Sequence, residues 1–128
     1  MKKISEDILD SSIRIHKTLG PGLLESVYKE CLHYELNRKN ILSRIEAALP
    51  VTYETLKFEK GFRADLIVEN KIILEIKSVE KTAPVHRAQL LTYLKLTKYP
   101  LGFLINFGAN RLVDGFHRFA NGEEANDL

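Results

Sequence analysis

The chain has 128 residues, 45% of them apolar and 28% charged, a composition that fits one globular domain and leaves no room for two cores. Its formal net charge is +2, so an anionic partner is permitted but no strongly basic stripe demands one. A single cysteine, Cys31, excludes an internal disulfide, and no run approaches the ~18 apolar residues of a membrane helix.

The start, MKKISEDILD, has two lysines and then acidic residues instead of the apolar run of a signal peptide. A cytoplasmic protein with no membrane partner is expected. Ser5 is placed to cap a first helix, with Glu6 and Asp7 in the turn where the helix dipole favours negative charge. Ile8, Leu9, Ile13, Ile15 and Leu19 form its apolar stripe, and Gly20-Pro21-Gly22 ends it. Leu24, Val27, Tyr28, Cys31, Leu32 and Leu36 then recur at three- and four-residue steps, predicting a second helix.

Residues 41–50 favour no single element. Val51 to Phe58 reads as a strand, Lys60-Gly61 as a turn, and Phe62–Val68 and Ile72–Lys77 as two further strands. Pro84 opens a third helix, with Ala88, Leu91, Leu94 and Leu96 on its apolar side and Tyr99-Pro100 as its stop. The almost continuously apolar run Leu101–Phe107 predicts a strand covered on both faces, and Val113–Phe119 a last strand. The acidic segment 121–128 is expected to be a disordered tail after a single domain over residues 1–120. The order predicts an α/β (α+β) fold with a mixed central sheet flanked by helices.

The hairpin FRADLIVENKIILEIKS, residues 62–78, carries the chemistry. Keeping its apolar side chains together requires pairing Val68 with Ile72, Leu66 with Leu74 and Ala64 with Ile76, around a three-residue loop with Asn70 in a left-handed conformation. That register sets Asp65 opposite Glu75, with Lys77 two residues along the same face. Facing carboxylates repel unless a cation lies between them or one stays protonated. The constellation suits a hard divalent ion, Mg²⁺ or Mn²⁺, held by Asp65, Glu75 and the main-chain carbonyl of Ile76. Lys77 would steady charge on a phosphate or help activate water. The competing reading makes Glu75 and Lys77 a solvated ion pair worth about 0–1 kcal/mol.

Gly22-Leu23-Leu24-Glu25-Ser26-Val27-Tyr28 reads G-x-x-E-x-x-Y. Together with Ala64-Asp65, Glu75-Ile76-Lys77 and AQLLTYLKL at 88–96, it closely resembles the GxxExxY protein family of the PD-(D/E)XK nuclease-like superfamily. Ala64 stands where the superfamily's name motif has proline. The resemblance spans about residues 5–120. It implies a restriction-endonuclease-like core of order α-β-β-β-α-β and a Mg²⁺-dependent nuclease acting on nucleic acid, DNA before RNA. By position it implies Glu25 as a helix-borne carboxylate completing the metal site, Asp65 and Glu75 as metal ligands, Lys77 as the catalytic lysine, and Gln89 as a polar residue aimed at the site. The alternative on the same fold is a catalytically silent nucleic-acid-binding or assembly module; either could act as a homodimer. His86, Gln89 and Tyr93 share one helical face and could rim the site, whereas Tyr28 reads as a core aromatic with a satisfied hydroxyl.

Overall fold

The two least polar strands set the architecture. In the computed structural model, which describes residues 2–128, β3 (Ile72–Lys77) and β4 (Leu101–Asn106) run parallel, with Ile72 opposite Leu101 and Lys77 opposite Asn106. Every residue of β4 is buried, as is β3 through Ile76. β1 (Ser43–Tyr53) and β2 (Leu56–Val68) precede them as an antiparallel hairpin, and β5 (Phe116–Ala120) follows, giving the order β1-β2-β3-β4-β5. Among the described residues only the β3–β4 pair is parallel, and α3 (Pro84–Thr97) makes the crossover between them, as parallel neighbours require.

Both faces are covered. On one, α1 (Ile4–Leu19) and α2 (Glu25–Arg38) pack Ile8, Tyr28, Leu32 and Leu36 into a cluster with Leu66, Leu74, Ile76 and Phe103. On the other, Leu90 and Leu94 of α3 meet Ile67, Ile73 and Leu104. The chain is therefore a mixed α+β sandwich holding the expected α-β-β-β-α-β core, with α1 and β5 added.

Several boundaries differ from the sequence reading, each for a physical reason. The residues without a clear preference form the body of β1, and the segment read as one strand over Val51–Phe58 folds back at Glu54-Thr55, pairing Tyr53 with Leu56. Lys60-Gly61 is not a turn but lies inside β2, opposite a register shift between Leu49 and Val51. Gly61 is required there because a Cβ would overlap the Val51 side chain. The last strand is shorter than read, since Leu112–Gly115 is a 3₁₀ turn. Leu90 and Leu94 form the buried side of α3, while Leu91 and Leu96 are exposed; Gly102 on β4 leaves only enough space for those two leucines above it.

Ser5 does not cap α1, whose N-cap is Lys3 with no side-chain bond. The Ser5 N–H is donated instead to the Leu128 oxygen at 2.6 Å. Segment 121–128, expected as a tail, is placed against α1. Glu123–Asp127 forms a 3₁₀ turn, Ala125 and Leu128 are buried beside α1, and Lys3 Nζ donates to the Asn126 carbonyl at 2.7 Å. Two apolar residues in an otherwise polar segment suffice to dock it. Leu128→Ala should therefore cost about 2–3 kcal/mol in urea denaturation, a loss that a free tail would not show.

Candidate functional site

The site lies where the β2–β3 ladder stops. The pairing holds as the sequence requires for Val68–Ile72, Ile67–Ile73 and Leu66–Leu74, around the three-residue loop with Asn70 left-handed. Glu69 is also left-handed, stabilised by Leu42, whose N–H it accepts at 3.0 Å. Beyond Leu66 and Leu74 the strands make no further rung. The Asp65 N–H is donated to Glu75 Oε2 at 2.9 Å, and the Ile76 N–H to Asp65 Oδ2 at 2.8 Å. Each carboxylate accepts a main-chain amide from the other strand, so the side chains interlock across the gap. Ile76 enters the site through this N–H.

Burial then sets the electrostatics. Glu75 is only 5% exposed, which excludes the solvated surface pair. Burial first, and the Asp65 charge second, push its carboxyl up to about 8. Asp65 is also raised, chiefly by burial, against the pull of the Ile76 N–H, Lys29 and Lys77. Lys77 follows at the end of β3, half-buried, and its charge favours the ionised form of both acids. Its main chain is clamped: the Phe107 N–H is donated to the Lys77 carbonyl at 2.8 Å. Two residues on, the buried Asn106 accepts the Val79 N–H at 3.0 Å and donates to the Val79 carbonyl at 2.9 Å.

Glu25 is brought to the same end of the sheet. It is the first residue of α2, and its Oε2 accepts the Ser78 N–H at 3.4 Å, while Ser78 Oγ donates to the Leu23 carbonyl at 2.6 Å. Its charge reaches Asp65. The G-x-x-E-x-x-Y segment explains this placement. Gly20 and Gly22 take positive φ in the turn, and the Tyr28 hydroxyl donates to the Gly20 carbonyl at 2.6 Å and accepts the Leu23 N–H at 3.1 Å. Tyr28 is fully buried and stacked on Phe107, so the helix start is fixed against the core.

Gln89 is carried by α3, which packs on the face of the sheet opposite to α2. It is exposed on α3, one turn before Tyr93, whose half-buried ring stacks on Phe62 at 4.2 Å and whose hydroxyl feels the Glu75 and Asp65 charges. Burial and the Glu75 charge raise the Tyr93 hydroxyl. His86 turns inward as a cap, its Nδ1 accepting the Ala83 N–H at 3.0 Å. The residue that sequence reasoning missed is Lys29, whose Nζ lies 3.0 Å from Glu46 Oε1 and 3.8 Å from Asp65 Oδ1. The signal was available: Lys29 is one helical turn after Glu25 and shares its face.

Among the described residues no group of three or more His, Cys, Asp and Glu side chains stands at ligand spacing. Two interlocked carboxylates, with Glu25 farther out, are what remains. That donor set is all-oxygen and incomplete, which suits an ion such as Mg²⁺ that takes one or two carboxylates and keeps several waters. It does not suit structural zinc, which needs four nitrogen or sulfur ligands.

A sheet whose central parallel strand carries Glu-x-Lys beside an aspartate at a broken rung defines a class, and comparison with known proteins identifies it. The family model of the PD-(D/E)XK nuclease superfamily matches residues 2–119, and the chain belongs to that superfamily. Nucleases of this superfamily generally use divalent metal ions. A solved structure described as "Crystal structure of SSO0001" is 18% identical with a TM-score of 0.45, the match covering 95% of this chain and 78% of that one. No curated protein matches the chain. Among the described residues no helix is long and apolar enough to cross a membrane.

The raised Glu75 predicts a pH dependence of folding. Between its ordinary value of 4.5 and about 8, the unfolded chain releases a proton that the folded protein retains, so stability falls as pH rises through that window. Urea denaturation at pH 5 and pH 8 without metal should show this. Glu75→Gln should flatten the slope and be the more stable protein at pH 8, by on the order of a few kcal/mol.

Proposed function

We propose that the protein is a divalent-metal-dependent nuclease that hydrolyses phosphodiester bonds of nucleic acid, with DNA as substrate and Mg²⁺ or Mn²⁺ as the ion. The observation that carries this reading is the reciprocal exchange between the buried Glu75 and the partly buried Asp65, two acids brought together at a cost that a cation would relieve. Membership in the PD-(D/E)XK nuclease superfamily supports the same conclusion.

In this reading Asp65 and Glu75 hold the ion and Glu25 flanks it. A bound divalent ion acidifies water and offsets charge on the phosphate. Lys77 sits beside the acids on a main chain tied to β4, so its stem is fixed while its ammonium would be free to meet charge developing on the phosphate. Ile76 contributes its N–H to Asp65, orienting the carboxylate. Tyr93 and Gln89 stand at the α3 side, where their polar groups would meet the substrate. With a net charge of only +2, a second copy of the chain would help to grip a duplex.

The test is cleavage of plasmid, single-stranded oligonucleotide and RNA of matched sequence, with Mn²⁺ and with Mg²⁺. Metal-dependent cleavage, faster on DNA, is expected. EDTA should abolish it, and Asp65→Asn, Glu75→Gln and Lys77→Ala should each lower the rate by at least about 100-fold. Glu25→Gln should leave a residual rate. Cleavage that survives both Asp65→Asn and Lys77→Ala overturns the assignment; Mn²⁺ and DNA binding without cleavage identifies the silent module.

A further inference from the structure

We infer that Lys29 is a built-in counter-cation of Asp65, which an incoming divalent ion must displace, and that Glu46 holds the place into which it is displaced. The inference rests on the metal-dependent reading above.

Three observations support it. The Lys29 ammonium is shared unequally, hydrogen-bonded to Glu46 Oε1 at 3.0 Å and 3.8 Å from Asp65 Oδ1. Its side chain is 13% exposed, so its charge acts on Asp65 with little screening, whereas Glu46 is 53% exposed and opens to solvent. Glu46 also occupies a distorted position. The β1–β2 register runs through Ile45–Leu66 and Ala47–Ala64 and omits the rung between them, where Glu46 would face Asp65. There Glu46 adopts a φ of 49°, a left-handed conformation that a non-glycine residue keeps only where its surroundings enforce it.

The arrangement forms a switch between two cations. Without metal, Lys29 neutralises part of the charge on Asp65. A divalent ion at Asp65 repels the ammonium, which cannot be left unpaired in a mostly buried position, and Glu46 is within its reach on the solvent side. Lys29 and Glu46 therefore act on metal affinity with opposite signs. Removing the ammonium removes a competitor; removing the Glu46 charge returns the ammonium to Asp65. A purely structural Lys29–Glu46 pair would make both substitutions act in the same direction.

Isothermal titration of the metal-free protein with Mn²⁺ at pH 8 and low ionic strength tests this, using wild type, Lys29→Met, Lys29→Arg, Glu46→Gln and, as a control for the site, Asp65→Asn. Lys29→Met should tighten Mn²⁺ binding by about tenfold, and Glu46→Gln should weaken it by about threefold to tenfold. Lys29→Arg, which keeps the charge, should stay within about twofold of wild type and guards against a folding defect in the methionine variant. Unchanged or weaker binding by a folded Lys29→Met protein, in a background where Asp65→Asn abolishes wild-type binding, overturns this inference alone. A wild type that takes up no Mn²⁺, or takes it up equally with Asp65→Asn, overturns the metal reading and this inference with it.

Discussion

The molecule is organised around a missing rung. The β2–β3 ladder stops at Leu66 and Leu74, short of the amides of Asp65 and Ile76. Here both are bonded to carboxylates instead. Each acid thus has two duties: it satisfies a main-chain donor that would cost about 1–3 kcal/mol if orphaned, and it brings a titratable carboxyl to the site. Fold and chemistry are coupled at these positions. Alanine there removes a charge and orphans an amide together, so the amides Asn and Gln, which keep an acceptor oxygen, separate the two effects.

Everything near this gap is held from outside it. Tyr28 ties the glycine turn to the core and so presents Glu25. Asn106 extends β4 with its side chain and fastens Val79, while Gly108 is required because a Cβ would collide with the Val79 backbone. The Glu-x-Lys strand is therefore clamped after its last residue as well as along its length. Of its charged groups, Lys77 keeps an unclamped side chain on a fixed stem, which suits a donor that must follow a moving charge.

The legible parts of the sequence were those in which one period dominates. The β3 and β4 strands are apolar enough to be recognised without context, and the parity of apolar residues in 62–78 fixed the hairpin register and with it the meeting of Asp65 and Glu75. Residues 51–61 were misread because β1 and β2 run on past β3 as a two-stranded arm, where Tyr53, Leu56 and Phe58 are exposed and no alternation of burial imprints the sequence. In α1 the expected Ile8 and Ile15 are buried, but Ser11, Ser12 and His16 share the buried face with them, Ser12 Oγ donating to the Ile8 carbonyl, while Leu19 is exposed. Lys29 and Glu46 were invisible as a pair because neither belongs to a motif and only the fold brings them together.

The seam between residues 3–8 and 123–128 has a consequence for biogenesis. Lys3 and Ser5 are bonded to acceptors at Asn126 and Leu128, and Leu128 shares a cluster with Ile8. These contacts join stretches more than a hundred positions apart. A chain emerging vectorially from the ribosome thus makes α1 early but cannot tie down its first turn until nearly all of this interval has been translated. The nascent protein should stay open at that edge, with Ile8 uncovered on that side, until this stretch has emerged.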